Sequence, residues 1–235
     1  MTEKPARGAK SKRKLILSLD DCFKRPELDG GEEKRKLWYF YRGETDEEAI
    51  IRRIKRDAYE NQTKYLMCSQ SVYYALSLHL GFGDKEVYRA ASYLCGGMGG
   101  NQMCGCLLGA RVALGQALGR DNIYEGGWPR ETGPSRLWDT LPLADMELSD
   151  AFRERFGSIM CHEIQENYFG RHFFFPSDYE DPVVWKIHET GELYRIVSVY
   201  AAALCEFTAG FTAEIILRER KKLGIPLRMP LQRSF

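Results

Sequence analysis

Apolar residues recur every three or four positions through most of this chain, which is the spacing that lines one face of a helix. The segment Thr45-Asp46-Glu47-Glu48 has the form of a capping box, so a helix of about a dozen residues should begin there and pass through Ile54. The same periodicity predicts a second helix from Tyr65 to Leu80. It should end at Gly81, because glycine readily takes the left-handed conformation that stops helices.

The middle of the chain predicts two more helices on either side of a glycine-rich turn. Asp84 is placed to cap a short helix that reaches Leu94, and a further helix should span about Met103 to Leu118. Residues 119 to about 144 contain several glycines and prolines and no sustained period. This composition indicates a long surface connection.

The C-terminal part predicts two helices separated by an aromatic segment. The first should cover about Asp145 to Ile164 with Cys161 in its last turn, and residues 165–188 form an aromatic-rich excursion. The longest helix is predicted from about Gly191 to Leu223. Beside its apolar stripe runs a row of small residues that faces either a cofactor or a neighbouring helix: Ala201, Cys205, Thr208 and Thr212.

These elements predict an all-α bundle of five to six helices, since no segment shows strand alternation over several consecutive elements. Residues 1–44 form an irregular N-terminal extension, residues 45–223 the helical domain, and residues 224–235 an extended C-terminal tail. The chain has 235 residues and 44% hydrophobic composition, which suffices for one core. The apolar tail is suited to docking on another subunit, so we expect a homodimer.

Charge and hydropathy limit the classes of partner. The chain has 34 basic and 33 acidic residues, so it offers no overall field for a polyanion, and we expect no nucleic-acid partner. No apolar stretch approaches the roughly 20 residues of a bilayer span, and no export signal follows the basic N-terminus. We therefore expect a cytoplasmic protein with no membrane partner.

The cysteines carry the chemistry that the sequence offers. There are seven, an odd number, in a chain without an apparent export signal, which favours metal ligation, redox chemistry or buried thiols over a disulfide framework. No Cys-x-x-Cys pair is present. Instead, one thiol lies on each of four different predicted helices, which a bundle can bring to one point: Cys68, Cys104, Cys161 and Cys205.

Convergence of these four thiols would require a guest between them. Isolated thiolates cannot remain buried, because an unpaired charge costs more than the stability margin of a fold. A cation or an iron–sulfur core would be needed.

A glycine-rich turn precedes the helix at Cys104. Its glycines leave room for the backbone to approach a cofactor, and we predict that they line the cofactor site: Gly96, Gly97, Gly99, Gly100 and Gly105. At a helix start the N–H groups should lower the pKa of the Cys104 thiol. Cys106 follows Cys104 by two residues, which places it about 200° further around a helix. The thiols of Cys104 and Cys106 can therefore face one centre only if the backbone unwinds between them.

These residues resemble the redox-active family that is named for its C_GCAxxG_C_C pattern. The resemblance covers roughly residues 61–217 and depends on these segments in order: Cys68-Ser69-Gln70-Ser71-Val72, Gly96-Gly97-Met98-Gly99, Cys104-Gly105-Cys106-Leu107-Leu108-Gly109-Ala110, Phe156-Gly157-Ser158-Ile159-Met160-Cys161 and Cys205.

The resemblance implies a small helical redox protein of anaerobic, sulfur- or metal-metabolising microbes, with Cys68, Cys104, Cys161 and Cys205 as the shared thiols. Cys95 and Cys106 are additional to that pattern, so they are either further metal ligands or a dithiol reserve beside the centre. We expect an iron–sulfur cluster of unspecified type and a redox partner protein. The alternatives are a metal-free thiol–disulfide redox protein and a structural zinc site.

Overall fold

The structure is a computed structural model that describes residues 47–98, 102–120, 141–173, 178 and 180–224. In these residues the fold is all-α, as predicted, and the one β-type contact is an isolated bridge between Met103 and Met160. The described part of the chain has eight α-helices, more than the five to six predicted: α1 (Glu47–Tyr65), α2 (Cys68–Leu80), α3 (Lys85–Ala90), α4 (Gly105–Leu118), α5 (Leu141–Phe156), α6 (Cys161–Phe169), α7 (Pro182–Glu189) and α8 (Glu192–Leu223).

The core is organised around the pairing of α8 with α1, the most extensive helix contact in the fold. Ile54 of α1 and Ala209 of α8 are fully buried. Gly210 allows a close approach, because a Cβ there would collide with the side chain of Lys55 on α1. Helices α2 and α4 pack against each other and against α8, which places the starts of α2 and α4 next to the middle of α8.

Two of the predicted helix boundaries around α2 and α3 are confirmed. Gly81 follows α2 with a positive φ of 71°, and its N–H donates to the carbonyl of Ser77. Asp84 caps α3, since its Oδ1 accepts from the backbone N–H groups of Glu86 at 2.9 Å and Val87 at 3.0 Å. After α3 the chain tightens into a 3₁₀ turn at Ala91–Leu94.

The predicted start of the second helix at Tyr65 is wrong. Helix α1 continues to Tyr65 and has 19 residues rather than about a dozen. Leu66 and Met67 then take positive φ angles of 61° and 65°, which interrupt the helical path. Because of this reversal α2 begins at Cys68, so this thiol stands at a helix start rather than inside a helix.

The predicted helix from Asp145 to Ile164 is also wrong. Helix α5 begins earlier, at Leu141 within the predicted surface connection, and ends at Phe156. Gly157 follows with a φ of 84°, a conformation that glycine adopts without strain. A second helix, α6, then begins at Cys161, which is therefore in a first turn and not in a last one.

The segment predicted as an aromatic excursion, residues 165–188, has helical structure over much of its length. It contains the end of α6 and most of α7. Phe173 is buried with Val184 and Leu193 in a small second core. The predictions for residues 1–44, for most of the connection after α4 and for the tail after Gly224 lie outside the described residues.

One helix among the described residues meets the length and hydropathy of a membrane span, contrary to the sequence-based expectation. It is Glu192–Leu223, with a hydropathy of 1.5 over its most apolar window. In the fold 69% of that window is buried. Burial of this kind is typical of a core helix, and cytoplasmic location stays a prediction.

A partly buried hydrogen bond between His79 and Asp57 joins α1 to α2 away from the thiols. His79 is 3% exposed, and its Nε2 donates to Asp57 Oδ2 at 2.6 Å. Arg56 Nη2 donates to the other carboxylate oxygen at 3.2 Å. Burial alone would raise the pKa of Asp57, but the hydrogen bonds and positive charges of His79 and Arg56 hold that pKa below its ordinary value.

Candidate functional site

Three of the four cysteines named by the sequence pattern stand at helix N-termini. Cys68 is the first residue of α2, Cys161 is the first residue of α6, and Cys104 is the N-cap of α4. The first N–H groups of a helix have no partner within it, and the peptide dipoles give that end a partial positive charge. These positions therefore favour anionic sulfur.

A short backbone pairing holds the starts of α4 and α6 side by side. The N–H of Cys104 donates to the carbonyl of Ile159 at 2.8 Å, and the N–H of Cys161 donates to the carbonyl of Gln102 at 2.6 Å. These two bonds flank the bridge between Met103 and Met160. Two thiols far apart in sequence are thereby brought to neighbouring helix starts by backbone groups alone.

Two glycines of α4 allow α2 to approach it closely. A Cβ at Gly105 would lie 2.5 Å from the Sγ of Cys68 and 2.9 Å from the carbonyl oxygen of Leu94. A Cβ at Gly109, one turn further along, would overlap the backbone of Ser69. The missing side chains therefore place Cys68 against the first turn of α4.

The fourth cysteine of the pattern reaches the same place from the long helix. Cys205 lies within α8 and is fully buried. Its Sγ is 3.5 Å from the Sγ of Cys106 and 3.7 Å from the carbonyl oxygen of Cys68. The Oε1 of Gln62, a residue only 2% exposed, lies 3.9 Å from the same sulfur.

The two additional thiols lie within the group. Cys95 follows the 3₁₀ turn, and its Sγ is 3.6 Å from that of Cys68. Cys106 contacts the sulfurs of Cys104, Cys205 and Cys68. The expected conflict between Cys104 and Cys106 does not arise, because Cys104 precedes the helix with an extended ψ of 131°.

Hydrogen bonding sets Cys68 apart from the other thiols. The side chains of Cys106 and Cys95 and the backbone N–H groups of Gly96 and Ser69 together hold the pKa of Cys68 well below its ordinary value, against the effect of burial. Burial raises the pKa of Cys106 and of Cys205. The surroundings of Cys68 therefore favour the thiolate more than those of Cys106 and Cys205 do.

Cys161 has a hydrogen-bond donor of its own. Gln165 is 1% exposed and its Nε2 donates to the Sγ of Cys161 at 3.2 Å. The Oε1 of the same amide accepts from the N–H of Phe173 at 3.0 Å, which fixes the amide orientation. Burial and the charges of Cys104 and Cys68 raise the pKa of Cys161, and the Gln165 amide opposes that rise.

The glycine turn contributes to the site through its backbone. Gly96 and Gly97 have φ angles of 63° and 68°, a region open to glycine. At Gly97 a Cβ would lie 2.6 Å from the N of Gln102, and that N–H donates to the Gly97 carbonyl at 3.1 Å. The turn thus closes on itself beside Cys68, while Gly99 and Gly100 lie outside the described residues.

Sequence reasoning missed the two buried amides at the thiols. Neither Gln62 nor Gln165 belongs to a recognisable motif, and long polar side chains are usually exposed. The helix break before Cys161 did have a signal, since Gly157 is a helix stop and Ser158 is a turn-forming residue. The Ser158 hydroxyl accepts from the N–H of Met160 at 3.0 Å.

The donor set fits a thiolate-bound inorganic group. Within the ranges that the structure covers, no three His, Cys, Asp or Glu side chains are arranged to hold a single metal ion. Five thiols nevertheless lie in one chain of contacts: Cys95, Cys68, Cys106, Cys104 and Cys205. Cys161 stands at the neighbouring helix start, paired to Gln102 through the backbone. Thiolates with N–H donors to sulfur are the ligands and the surroundings that iron–sulfur clusters use.

A buried group of thiols gathered by helix starts in an all-α fold defines a cysteine-based redox protein as the class. The chain belongs to the family described as "Putative redox-active protein (C_GCAxxG_C_C)", whose model matches residues 66–215, more than half of the 235 residues. This match confirms the resemblance found in the sequence. No curated protein and no solved structure matches the chain.

Proposed function

We propose that this protein transfers electrons through an iron–sulfur cluster held by Cys68, Cys104, Cys161 and Cys205. The observation that carries the proposal is that three helix starts, each with a buried cysteine, are neighbours: Gly105 of α4 abuts Cys68, and backbone bonds pair the starts of α4 and α6. A structural zinc site with four thiolates is also anionic and would be stabilised by the same helix starts, so metal analysis is what separates it from a cluster. A cluster with net negative charge gains from every N–H group aimed at its sulfurs.

The chain supplies ligands, hydrogen bonds and exclusion of water. Cys104 is 3% exposed and Cys205 is fully buried, so the proposed ligands are screened from solvent. The Gln165 amide and the N–H of Gly96 donate toward Cys161 and Cys68. Hydrogen bonds to the sulfurs stabilise the more negative state of the centre and therefore raise its reduction potential. When bound, the cluster itself supplies one-electron transfer.

Metal and sulfide analysis of protein purified without oxygen tests this proposal. We expect a brown protein that contains iron and acid-labile sulfide in comparable amounts, with an absorption band that bleaches on reduction. Cys104→Ser should lose most of the iron and colour. Cys22→Ser, which changes the seventh cysteine in the predicted N-terminal extension, should retain both and serves as the matched control.

The rival functions give different results in the same experiment. A colourless protein without iron, prepared without oxygen, would refute the cluster. Zinc in place of iron, with no reducible centre, would indicate the structural site instead. Electrons would reach the proposed centre from a redox partner protein, and both that partner and the homodimer stay predictions.

A further inference from the structure

Two sulfur–sulfur distances, 3.6 Å and 3.5 Å, link four of the six described thiols into pairs, and Cys106 additionally contacts Cys104 and Cys68. Cys68 and Cys95 are 27 residues apart and have their Sγ atoms 3.6 Å apart. Cys106 and Cys205 are 99 residues apart and have their Sγ atoms 3.5 Å apart. Each pair joins one cysteine of the family pattern to one that is additional to it.

We propose that Cys95 and Cys106 are the disulfide partners of Cys68 and Cys205, so that the metal-free protein closes its site with two specific disulfides. A disulfide has an S–S distance of about 2.05 Å, so each pair must close by about 1.5 Å. Cys95 and Cys106, which are not among the four proposed ligands, thereby have a role as disulfide partners. The inference rests on the proposed function only in treating Cys68 and Cys205 as cluster ligands.

A small disulfide such as oxidised glutathione supplies the oxidising equivalents. A thiolate of the Cys68 and Cys95 pair attacks one glutathione sulfur, which forms a mixed disulfide and releases one glutathione thiolate. The second thiol of the pair attacks the protein sulfur and releases the other glutathione. The pair gives up two electrons and two protons, and both end on the two glutathione thiols.

The burial of the thiols decides the order in which the two disulfides form. Cys95 is half-buried and is the most accessible thiol of the four, whereas Cys106 is 1% exposed and Cys205 is fully buried. Cys106 also contacts Cys68. Cys106 can therefore attack the Cys68 sulfur of the first disulfide, which forms a Cys68–Cys106 disulfide and frees Cys95. Cys205 then attacks Cys106, which forms the Cys106–Cys205 disulfide and frees Cys68. A second glutathione disulfide then reoxidises Cys68 and Cys95.

The two pairs leave Cys104 and Cys161 reduced. Both are anchored by backbone bonds at neighbouring helix starts, and the Sγ of Cys161 accepts from Gln165. The oxidised protein therefore keeps two of its pattern thiols and protects the other two from irreversible oxidation. Reduction of both disulfides restores all four proposed ligands.

Differential alkylation with peptide mapping tests the pairing. The full-length protein is reduced, freed of metal with a chelator, and exposed to oxidised glutathione. We expect four thiols per chain to disappear, with linked peptides for Cys68–Cys95 appearing before those for Cys106–Cys205. Cys106→Ser should keep only the first link. Cys95→Ser should lose the first link and form the second more slowly, because oxidation must then begin at the less exposed Cys68. Cys22→Ser should keep both.

Other linkage patterns would overturn the inference. They include loss of only two thiols through a Cys68–Cys106 bond, or a link that involves Cys104 or Cys161. If a serine variant loses its helical circular dichroism, the alanine variant at the same position replaces it. Iron and sulfide content is measured separately on oxygen-free preparations, so a missing cluster with correct pairs refutes the proposed function alone.

Discussion

The glycines of α4 allow one prediction in depth, because two of them have opposite surroundings. In Gly109→Ala the new Cβ would lie 2.8 Å from the carbonyl carbon and from the Cα of Ser69. Backbone atoms cannot rotate away, so α2 and α4 must separate by about 1 Å. Overpacking of this kind costs about 1–3 kcal/mol, and the helix propensity of alanine returns at most about 1 kcal/mol.

Gly115→Ala is the matched control on the same helix. Nothing in the described part of the chain lies within 4 Å of its Cβ position, and Gly115 is exposed. The variant should be more stable than wild type by about 0.5–1 kcal/mol, because alanine loses less conformational freedom on folding. The free energies of unfolding of Gly109→Ala and Gly115→Ala should therefore differ by about 2 kcal/mol.

Urea unfolding followed by helical circular dichroism measures both changes. Reduced, metal-free protein is used, so that binding of a cofactor does not add to the free energy of unfolding. Equal urea m-values would show that each variant exposes the same amount of surface on unfolding. A Gly109→Ala variant as stable as Gly115→Ala would refute the close packing of α2 on α4.

Three further predictions concern titration and thiol reactivity. The lowered pKa of Asp57 contributes stability that is present above its unfolded value near 3.8 and is lost as pH falls through the folded pKa; Asp57→Asn should cost about 1–3 kcal/mol at pH 7 and show no such loss in urea unfolding at acid pH. Gln165→Leu should raise the pKa of Cys161 and move its alkylation profile to higher pH, and an unchanged profile would contradict the hydrogen bond. In reduced, metal-free protein at neutral pH, Cys68 should be alkylated before Cys205, as mass spectrometry of timed samples can check; the reverse order would contradict a thiolate at Cys68.

Local signals in the sequence were sufficient where capping chemistry decides the structure. The side chain of Asp84 and the missing side chain of Gly81 act within one turn of their own positions. The bounds of α8 also follow from its uninterrupted apolar period, and the structure begins it one residue after the predicted Gly191. Such features depend on neighbours in sequence and need no knowledge of the fold.

The sequence was insufficient where distant contacts decide the structure. Leu66 and Met67 disfavour positive φ, so their reversal before Cys68 is maintained by the surrounding fold and leaves no sequence signal. At Cys161 the apolar period continued across a helix break and outweighed the glycine signal. The convergence of thiols was expected from the pattern, but the pairing of sulfurs depends on the packing of α4 against α2 and α8.

The helix starts at Cys68, Cys104 and Cys161 build a positive potential from peptide groups rather than from side chains. No lysine or arginine has to be desolvated to create it, and no protonation step within the physiological range removes it. Mobile ions cannot penetrate an enclosed place, so salt screens it weakly. The preference of these positions for anionic sulfur should therefore hold across wide changes in ionic strength.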